Sequence, residues 1–397
     1  MAFDVVVVGA GPAGLCLARS LAGSGLRIAL LERQAEAALA APADDGREIA
    51  ITHRSQGLLR SLGLWERLCE GEIATLREAL VLDGRDRGGL VFSPSLVGAG
   101  QLGWLLPNHA IRRAAFAAAA TLPDVELLAG VQVASARVDE GGAQVTLEGG
   151  ETLRAGLLVA ADSRHSQVRR AVGIGAAMHD FGKTMLVLRM RHEVAHEQVA
   201  WEWFAHGQTL ALLPLHDPHV SSVVLTLPPA RMQALLAQDD AALGADMAAR
   251  FERRLGAMEV AGPRCAYPLV GVYAQRFAAE RVALVGDAAV GMHPVTAHGF
   301  NFGLLGQDAL ANALCGSLAA GRPAWHLPAL WRYERRHRAA TLPLYLATQA
   351  LAGLYTDDRP PARALRKLAL GAGARLSPFR RMVVAGLTGR GMVPGRA

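Results

Sequence analysis

Three glycines near the start of the chain, Gly9, Gly11 and Gly14, have the spacing of a turn that binds a dinucleotide. An apolar strand precedes them and a predicted helix follows. Gly9 permits the tight turn, Gly11 lets the backbone approach a pyrophosphate, and Gly14 lets the helix pack closely on the strand. Pro12 and Ala13 belong to the same turn. The N-terminus of the helix would offer free N–H groups to the phosphates.

An acidic residue completes this βαβ unit. The second strand, residues 26–31, ends at Glu32, whose carboxylate would accept hydrogen bonds from a ribose diol. A glycine turn that binds nothing is the alternative interpretation. The complete unit of strand, turn, helix, strand and acid favours the dinucleotide site.

Two further apolar strands also end in an acidic residue. Residues 157–161 lead to Asp162, and residues 282–285 lead to Gly286 and Asp287. Short runs of this kind are typical of strands that are buried on both faces. The carboxyl ends of parallel strands lie at one edge of a sheet, where ligands bind. We therefore expect Asp162 and Asp287 to lie near the glycine turn. The glycine-bearing loop from Pro294 to Gly303 follows and would pass close to a flat ring.

The composition indicates a globular protein with reduced cysteines. Its 397 residues are 51% hydrophobic and 19% charged, which predicts two domains or one large interleaved unit. No apolar run approaches the roughly 18 residues that cross a bilayer. The first strand begins within two residues of the N-terminus, so no signal peptide is expected. The four cysteines are scattered and form no C-x-x-C pair. We expect a cytoplasmic protein.

Positive charge is concentrated at the C-terminus. The net charge is +6, but residues 359–397 contain nine basic residues and no acidic one, so the rest of the chain carries −3. Apolar residues alternate with these arginines, a pattern that suits a segment lying on an anionic membrane. A solvated terminus that is rich in arginine through coding bias is the alternative. The basic residues are not spread over a folded face, which argues against nucleic acid as a partner.

The three motifs and the glycine-bearing loop after the third resemble those of the class A flavoprotein monooxygenases, which have the fold of para-hydroxybenzoate hydroxylase. The resemblance covers nearly the whole chain. The matches are the FAD fingerprint (Gly9, Gly11, Gly14, Glu32), the D-G-x-x-S-x-x-R motif (Asp162, Ser166, Arg169), the G-D-A-A…P motif (Gly286, Asp287, Pro294) and the G-x-N-x-G loop (Gly299, Asn301, Gly303).

The resemblance implies an α/β fold in which a Rossmann-like FAD-binding domain carries an inserted, mostly antiparallel substrate sheet and a C-terminal helical region. We expect the FAD-binding domain in residues 1–175 and 271–320, the substrate domain in 176–270, and a C-terminal helix and basic tail in 321–397. The tryptophans at 201 and 203 alternate with Glu202 along a strand of the substrate domain, and core packing is favoured for them over substrate stacking.

The resemblance also implies the chemistry. Reduced FAD would react with O2 to give a flavin C4a-hydroperoxide, whose distal oxygen passes to an electron-rich aromatic ring. NAD(P)H would dock transiently, because no second glycine turn stands between an apolar strand and a helix; residues 98–103 have the G-x-G-x-x-G spacing outside such a unit. Whether the donor is NADH or NADPH stays open. We assign no metal ligand and no catalytic acid or base. We expect FAD contacts from Gly9, Gly11, Pro12, Ala13, Gly14, Glu32, Arg33, Arg47, Arg112, Asp162, Gly286, Asp287, Pro294, Gly299 and Asn301.

Four positions depart from the family pattern. Ser163 stands where the family has glycine, and Gly306 stands where an aspartate is common. Residues 297–299, Ala-His-Gly, replace the usual Gly-Gln-Gly beside the flavin ring. His298 in this triplet has two interpretations, a proton donor or a packed loop residue.

Within the family the chain is most similar to the ubiquinone-biosynthesis hydroxylases. Residues 47–65, residues 210–215 and the helix segment Tyr333 to Arg336 carry that likeness. Residues 292–304 look closest to the UbiM-type 5-demethoxyubiquinol hydroxylases. The predicted function is hydroxylation of the aromatic ring of a ubiquinone precursor, at the inner membrane or in a ubiquinone-synthesis complex. The alternatives are a soluble phenolic-ring hydroxylase, a flavin reductase or dehydrogenase, and a non-catalytic FAD-binding assembly partner.

Overall fold

A computed structural model describes residues 2–84, 89–205, 208–293, 298–356, 381, 384–386 and 388. Two predictions from the sequence therefore concern residues outside the described part of the chain. One is the contact of Pro294 with the cofactor. The other is the membrane contact of the basic tail, of which only a few residues are described.

Strands and helices alternate along the chain. In the described residues the strands are β1 (Ala2–Val8), β2 (Ile28–Glu32), β3 (Glu48–Ile51), β4 (Ala74–Leu76), β5 (Glu78–Asp83), β6 (Leu90–Phe92), β7 (Gly103–Pro107), β8 (Val125–Ala129), β9 (Val133–Asp139), β10 (Gly142–Leu147), β11 (Thr152–Ala160), β12 (Ala176–His192), β13 (Val199–Ala205), β14 (Gln208–Pro214), β15 (Val220–Leu227), β16 (Met258–Val260), β17 (Cys265–Ala274), β18 (Ala278–Ala279), β19 (Val282–Leu284) and β20 (Val290–Gly291). The helices are α1 (Pro12–Leu21), α2 (Glu36–Ala40), α3 (His53–Ser61), α4 (Asn108–Ala119), α5 (Gln167–Ala171), α6 (Pro229–Leu236), α7 (Asp240–Arg250), α8 (Gly299–Ala319) and α9 (Leu327–Thr356).

The first sheet brings the three predicted motifs to one edge. Its strand order is β18-β19-β11-β1-β2-β8, and β9 and β10 extend it from β11. Strands β19, β11, β1 and β2 run parallel, with Val8 beside Ala160 and Ala160 beside Leu284. These central strands are buried on both faces, as their continuous apolar sequences predict. Because they end side by side, the residues that follow β1, β11 and β19 meet above the same sheet edge.

The second sheet is mostly antiparallel. Its order is β20-β17-β12-β15-β14-β13-β5-β6, and only the pair β13 and β5 is parallel. Helices α6 and α7 cover one face, where Trp203 and Leu212 pack with Met247 and Phe251. Trp203 is buried in this cluster and Trp201 packs against it, so both tryptophans belong to the core, as the sequence favours. The predicted antiparallel sheet is present, and it also includes β5, β6 and β20 from outside residues 176–270. The predicted domain boundaries stay a prediction.

Three local predictions from the sequence differ from the structure. The sequence of residues 231–255 predicts one helix, but the structure has two, α6 and α7, because Asp239 accepts from the N–H of Ala242 and caps a new start. Residues 44–64 have the pattern of a loop followed by a helix, but residues 48–51 form strand β3, paired with β7. Asn108 is of a type that favours the N-cap position, but it is the first residue of α4, whose N-cap is Pro107.

Candidate functional site

Two of the three glycines in the first turn are required by packing, and the third faces open space. Gly9 has a φ of +109°, and a Cβ on it would lie 2.5 Å from the carbonyl oxygen of Ala161. A Cβ on Gly14 would overlap the carbonyl oxygen of Gly9. By contrast, no atom lies within 4 Å of the Cβ position of Gly11. The structure leaves room above Gly11 that packing does not use.

Helix α1 begins next to that space without a side-chain cap. Its N-cap is Gly11, which has no side chain to cap the helix, and its first turn contains no acidic residue. Pro12 follows as the first helical residue, where its missing N–H costs nothing. The remaining N–H groups and the positive end of the helix dipole therefore favour an anion such as a pyrophosphate.

Glu32 is held beside the glycine turn by two backbone hydrogen bonds. Its Oε2 accepts from the N–H of Ala10 at 2.8 Å, and its Oε1 accepts from the N–H of Gln34 at 3.0 Å. Arg112 donates from Nη2 to Oε1 of Gln34 at 3.0 Å, so it lies at the same corner. Arg33 is exposed. The structure therefore brings Glu32 and Arg112 to the turn.

The turn after β19 packs directly on α1 and α8. Gly286 has a φ of +61°, and a Cβ on it would lie 3.0 Å from the Cβ of Ala13. A Cβ on Gly303 would lie 3.5 Å from the Cα of Gly286. The small residues of the first and third motifs thus allow two helices and a turn to converge. Asp287 stands at this convergence.

Asp287 already has one cationic partner. Its Oδ2 accepts from Nη2 of Arg164 at 2.9 Å, and Nη1 of Arg164 donates to the carbonyl of Val270 at 3.1 Å. Arg164 is a site residue that the sequence did not single out. The sequence offered one indication that Arg164 lies at the site: it stands two residues after Asp162, in a motif already assigned to ligand binding. The remaining oxygen of Asp287 is on a side chain that is 38% exposed and can accept from a ligand hydroxyl.

The second motif is a short helix start that is tied to the third motif. Oδ2 of Asp162 accepts from the N–H of Gln167 at 2.8 Å, and Ser166 caps α5 by accepting from the N–H of Arg169 at 2.9 Å. Arg169 donates from Nη1 to the carbonyl of Ala288 at 2.8 Å. Oδ1 of Asp162 is buried and has no partner among the described residues. Such an atom calls for a ligand or water donor.

The segment before β3 carries a second set of polar groups. Arg47 donates from Nε and Nη2 to Oδ2 of Asp45 at 3.0 and 2.5 Å, and its guanidinium lies 5.5 Å from the ring centroid of Tyr267. Asn108 donates to the same oxygen of Asp45 at 2.7 Å. The Tyr267 hydroxyl donates to the carbonyl of Asp45 at 2.8 Å. Asp45, missed by the sequence analysis, thus fixes the direction of Arg47.

Asn301 acts as a tether in the structure. Its Nδ2 donates to the carbonyl of Ala50 at 2.7 Å, and its Oδ1 accepts from the N–H of Thr52 at 3.1 Å. The side chain is buried, so these bonds join the start of α8 to the end of β3. The predicted contact of Asn301 with a flavin ring stays a prediction. Near it, the Cβ position of Gly299 has no atom within 4 Å.

Two histidines flank the loop that contains Pro294. His298 is buried, with its ring centroid 5.9 Å from that of Phe302. His293 is buried against Phe181, 4.6 Å between ring centroids. Burial, with the charge of Lys183, lowers the pKa of His293 to about 4. His293 is therefore neutral at pH 7. In the described part of the chain, no group of three or more His, Cys, Asp or Glu residues is placed to hold a metal ion.

Glu48 connects β3, which forms a small separate sheet with β7 and β4, to β12 of the second sheet through a buried ion pair. Its Oε1 accepts from Nη2 of Arg189 at 2.9 Å, and Arg189 also contacts Asp44 at 2.9 Å. The Glu48 side chain is only 1% exposed. Burial raises the pKa of Glu48 to about 7, against the opposing effect of Arg189, and the charges of Asp44 and Asp45 act in the same direction as burial.

We expect Glu48→Gln to change how stability depends on pH. The folded-state pKa of about 7 exceeds the ordinary glutamate pKa of 4.5, so the folded protein binds this proton more tightly and loses stability as pH rises from 4.5 to 7. At about 1.4 kcal/mol per pKa unit, the loss is on the order of 3 kcal/mol. Urea unfolding of the FAD-saturated proteins at pH 5, 6, 7 and 8 measures it. The Glu48→Gln variant should lose less unfolding free energy than the wild type between pH 5 and 8. If the unfolding free energies of the two proteins change in parallel with pH, the raised pKa of Glu48 is contradicted.

Comparisons with known proteins agree with this geometry. The model of a family described as FAD binding domain matches residues 2–341. Ubiquinone hydroxylase UbiM of Neisseria meningitidis is 42% identical over 390 residues, covering 97% of this chain and 84% of the relative. Ubiquinone hydroxylase UbiL of Rhodospirillum rubrum is 35% identical over 379 residues, covering 96% and 88%. The crystal structure of p-nitrophenol 4-monooxygenase PnpA from Pseudomonas putida superposes with a TM-score of 0.78 at 20% identity, covering 98% and 99%.

The fold and the site define an FAD-dependent monooxygenase of the para-hydroxybenzoate hydroxylase type. Within that class, the chain belongs to the family of ubiquinone hydroxylases to which UbiM and UbiL belong. The resemblance drawn from the three motifs is confirmed, as are FAD as cofactor and the monooxygenase class. When bound, FAD supplies the oxygen-activating chemistry of such enzymes.

The described residues fit FAD. The space above Gly11 and the uncapped start of α1 suit its pyrophosphate. The open Cβ position of Gly299 leaves room for a flat ring, and the unpartnered oxygen of Asp162 lies at the same sheet edge. Packing within the protein does not explain these features, whereas a bound FAD would.

Proposed function

We propose that this monooxygenase hydroxylates the aromatic ring of a ubiquinone precursor. The observation that carries the proposal is the end-to-end match to relatives named ubiquinone hydroxylases, at 42% identity over 97% of the chain. The second sheet supports it, because its face away from α6 and α7 meets the segment of Asp45 through Tyr267 and carries the apolar cluster of Met185, Val187 and Leu269. Such a face suits a ring with an apolar tail.

The proposal includes a role for each predicted contact. Within it, the turn at Gly9, Gly11 and Gly14, with Pro12 and Ala13, holds the pyrophosphate, and Glu32, Arg33 and Arg112 hold the adenosine half. The remaining assigned residues hold the flavin half: Arg47, Asp162, Gly286, Asp287, Pro294, Gly299 and Asn301. NAD(P)H docks transiently as the reductant and leaves. The chain itself binds and orients its ligands and excludes water, and no acid or base among its residues is assigned.

We also propose a peripheral position on the inner membrane. The nine basic residues after Asp358 support it, since each basic residue near an anionic surface contributes about 1 kcal/mol. No helix within the described part of the chain is both long and apolar enough to cross a bilayer. Co-sedimentation with anionic liposomes, for the full chain and for a chain ending at Asp358, tests the proposal. Equal sedimentation of the two would contradict it.

Rescue of ubiquinone synthesis tests the main proposal. A bacterium that lacks its ubiquinone ring hydroxylase would carry this chain, and its lipid extracts would be resolved by mass. Restored ubiquinone is the expected result, and growth under 18O2 should place one labelled oxygen in the ring. The Gly11→Val variant serves as the control without FAD.

The result would also separate the alternatives. Ubiquinone restored without the label would indicate a reductase or dehydrogenase. Absence of rescue by folded, FAD-containing protein would favour a soluble phenolic substrate. FAD-containing protein that oxidises no NAD(P)H with any phenol would favour a non-catalytic assembly partner.

A further inference from the structure

The second sheet has two faces with different surroundings. Side chains alternate between the faces of a strand. Trp201 and Trp203 of β13 belong to the face that packs on α6 and α7. Glu202, between them, therefore belongs to the opposite face. Its cross-strand neighbours there are Val81 of β5 and Ala211 of β14.

That opposite face is the one that meets the FAD-binding part of the chain. The register continues from Ala211 through Val224 and Val187 to Cys265. Residues two positions away share the face, and they include Tyr267 and Arg189. Tyr267 donates to the carbonyl of Asp45 at 2.8 Å, and Arg189 pairs with Asp44 and Glu48, each at 2.9 Å. Glu202 thus lies on the same face as the side chains that contact the predicted cofactor segment.

Glu202 lies in a partly exposed stretch of that face, the gap, which separates two apolar clusters. On one side, Val81 packs against the cluster of Leu90, Phe92, Leu102 and Val384. On the other side, Val224 packs with Met185, Val187 and Leu269. Between Val81 and Val224 the row contains only Glu202 and Ala211. With strands about 4.8 Å apart, these three steps span about 14 Å between the backbones of β5 and β15. The small Ala211 side chain leaves depth at this point.

The Glu202 carboxyl suits a ring hydroxyl. It makes no hydrogen bond or ion pair with the other described residues, although the residue is only partly exposed. Burial raises its pKa to about 8, so at pH 7 it is mostly the neutral acid, with one donor and acceptor capacity to spare. Because this carboxyl has no hydrogen bond within the described residues, it can bond a ligand hydroxyl, and such a bond is stronger in partly buried surroundings than in open water.

We propose that Glu202 is the side chain that recognises the ring hydroxyl of the substrate, in the gap between Val81 and Val224. The inference rests on the proposed function, since it assumes a phenolic ring on this face of the sheet. It makes Glu202 a specificity-determining residue that distinguishes a free hydroxyl from an alkylated or missing one. The two apolar clusters would take the substituents of the ring.

Binding of two probes to the oxidised holoenzyme tests the proposal without turnover. The probes are a hexyl-substituted phenol and its O-methyl ether, followed through the flavin absorbance. The wild-type enzyme should bind the phenol about tenfold more tightly, the size of one hydrogen bond. Glu202→Leu should bring the ratio to about one, and Glu202→Gln should keep most of it. Glu78→Leu, on the helix side of the neighbouring β5, is the matched control and should not change the ratio.

The outcomes are distinct. A ratio unchanged in Glu202→Leu, in protein with wild-type FAD content and thermal midpoint, would overturn the inference. So would a wild-type enzyme that binds both probes equally or binds neither. Failure of the proposed function would appear instead as no rescue of ubiquinone synthesis, a result on which the binding ratio does not depend.

Discussion

Gly11→Val is expected to yield a folded protein that does not retain FAD. The Cβ position of Gly11 has no atom within 4 Å, and its φ of −69° is one that any residue adopts. The substitution therefore introduces no clash and no backbone strain in the protein itself. Its two methyl groups would occupy the space above the start of α1, where the pyrophosphate approaches the backbone. We expect FAD affinity to fall at least a hundredfold, because the cofactor cannot reach the N–H groups.

Absorbance at 450 nm after gel filtration measures FAD retention, and circular dichroism measures folding. Gly316→Val, at an exposed glycine of α8 with equally open space, is the matched control and should purify yellow. Gly14→Ala gives the opposite combination, because its Cβ overlaps the Gly9 carbonyl, so it should lose fold and cofactor together. Yellow Gly11→Val protein would show that the turn is not where the cofactor binds.

The motifs on the first sheet were predictable because each follows a strand that sequence alone reveals. Runs such as residues 5–8, 157–160 and 282–285 are apolar without interruption, and parallel strands of that kind must end at a common edge. The convergence of Gly9, Asp162 and Gly286 follows from the parallel pairing of the strands that precede them. The outline of the antiparallel sheet was likewise predictable from alternation in residues 184–227.

The partners of these residues were not predictable, because they come from distant parts of the chain. Arg164 meets Asp287 across 123 positions, and Asn301 meets Ala50 across 251. Asp45 fixes Arg47 only because Asn108 and Tyr267 converge on it. Strand β3 is too short to show a period, and its pairing with β7 decides its conformation. Local pattern predicts the elements, whereas side-chain pairs depend on how the elements pack.

Gly306 illustrates such a pair at a position where the family commonly has an aspartate. Gly306 is buried in α8, and a Cβ on it would lie 2.7 Å from Nε2 of His337 in α9. The His337 ring is held in place, because it stacks on Tyr333 at 5.8 Å and contacts Phe277 at 5.4 Å between centroids. Burial lowers the pKa of His337 to about 4, so the ring is neutral. The imidazole takes the place that a side chain at 306 would need.

Restoring the aspartate is therefore expected to be strongly destabilising. Gly306→Asp would overpack a buried contact and place a carboxylate beside a neutral ring, at a cost on the order of 4 kcal/mol. Urea unfolding and the temperature of FAD release measure the loss. Gly316→Asp, at an exposed position of the same helix, should cost less than about 1 kcal/mol. His337→Ala removes the obstructing ring, so the double variant should be more stable than the sum of the single changes by about 2 kcal/mol. If the stability changes of the two single variants simply add in the double variant, then His337 is not the residue that excludes a side chain at position 306.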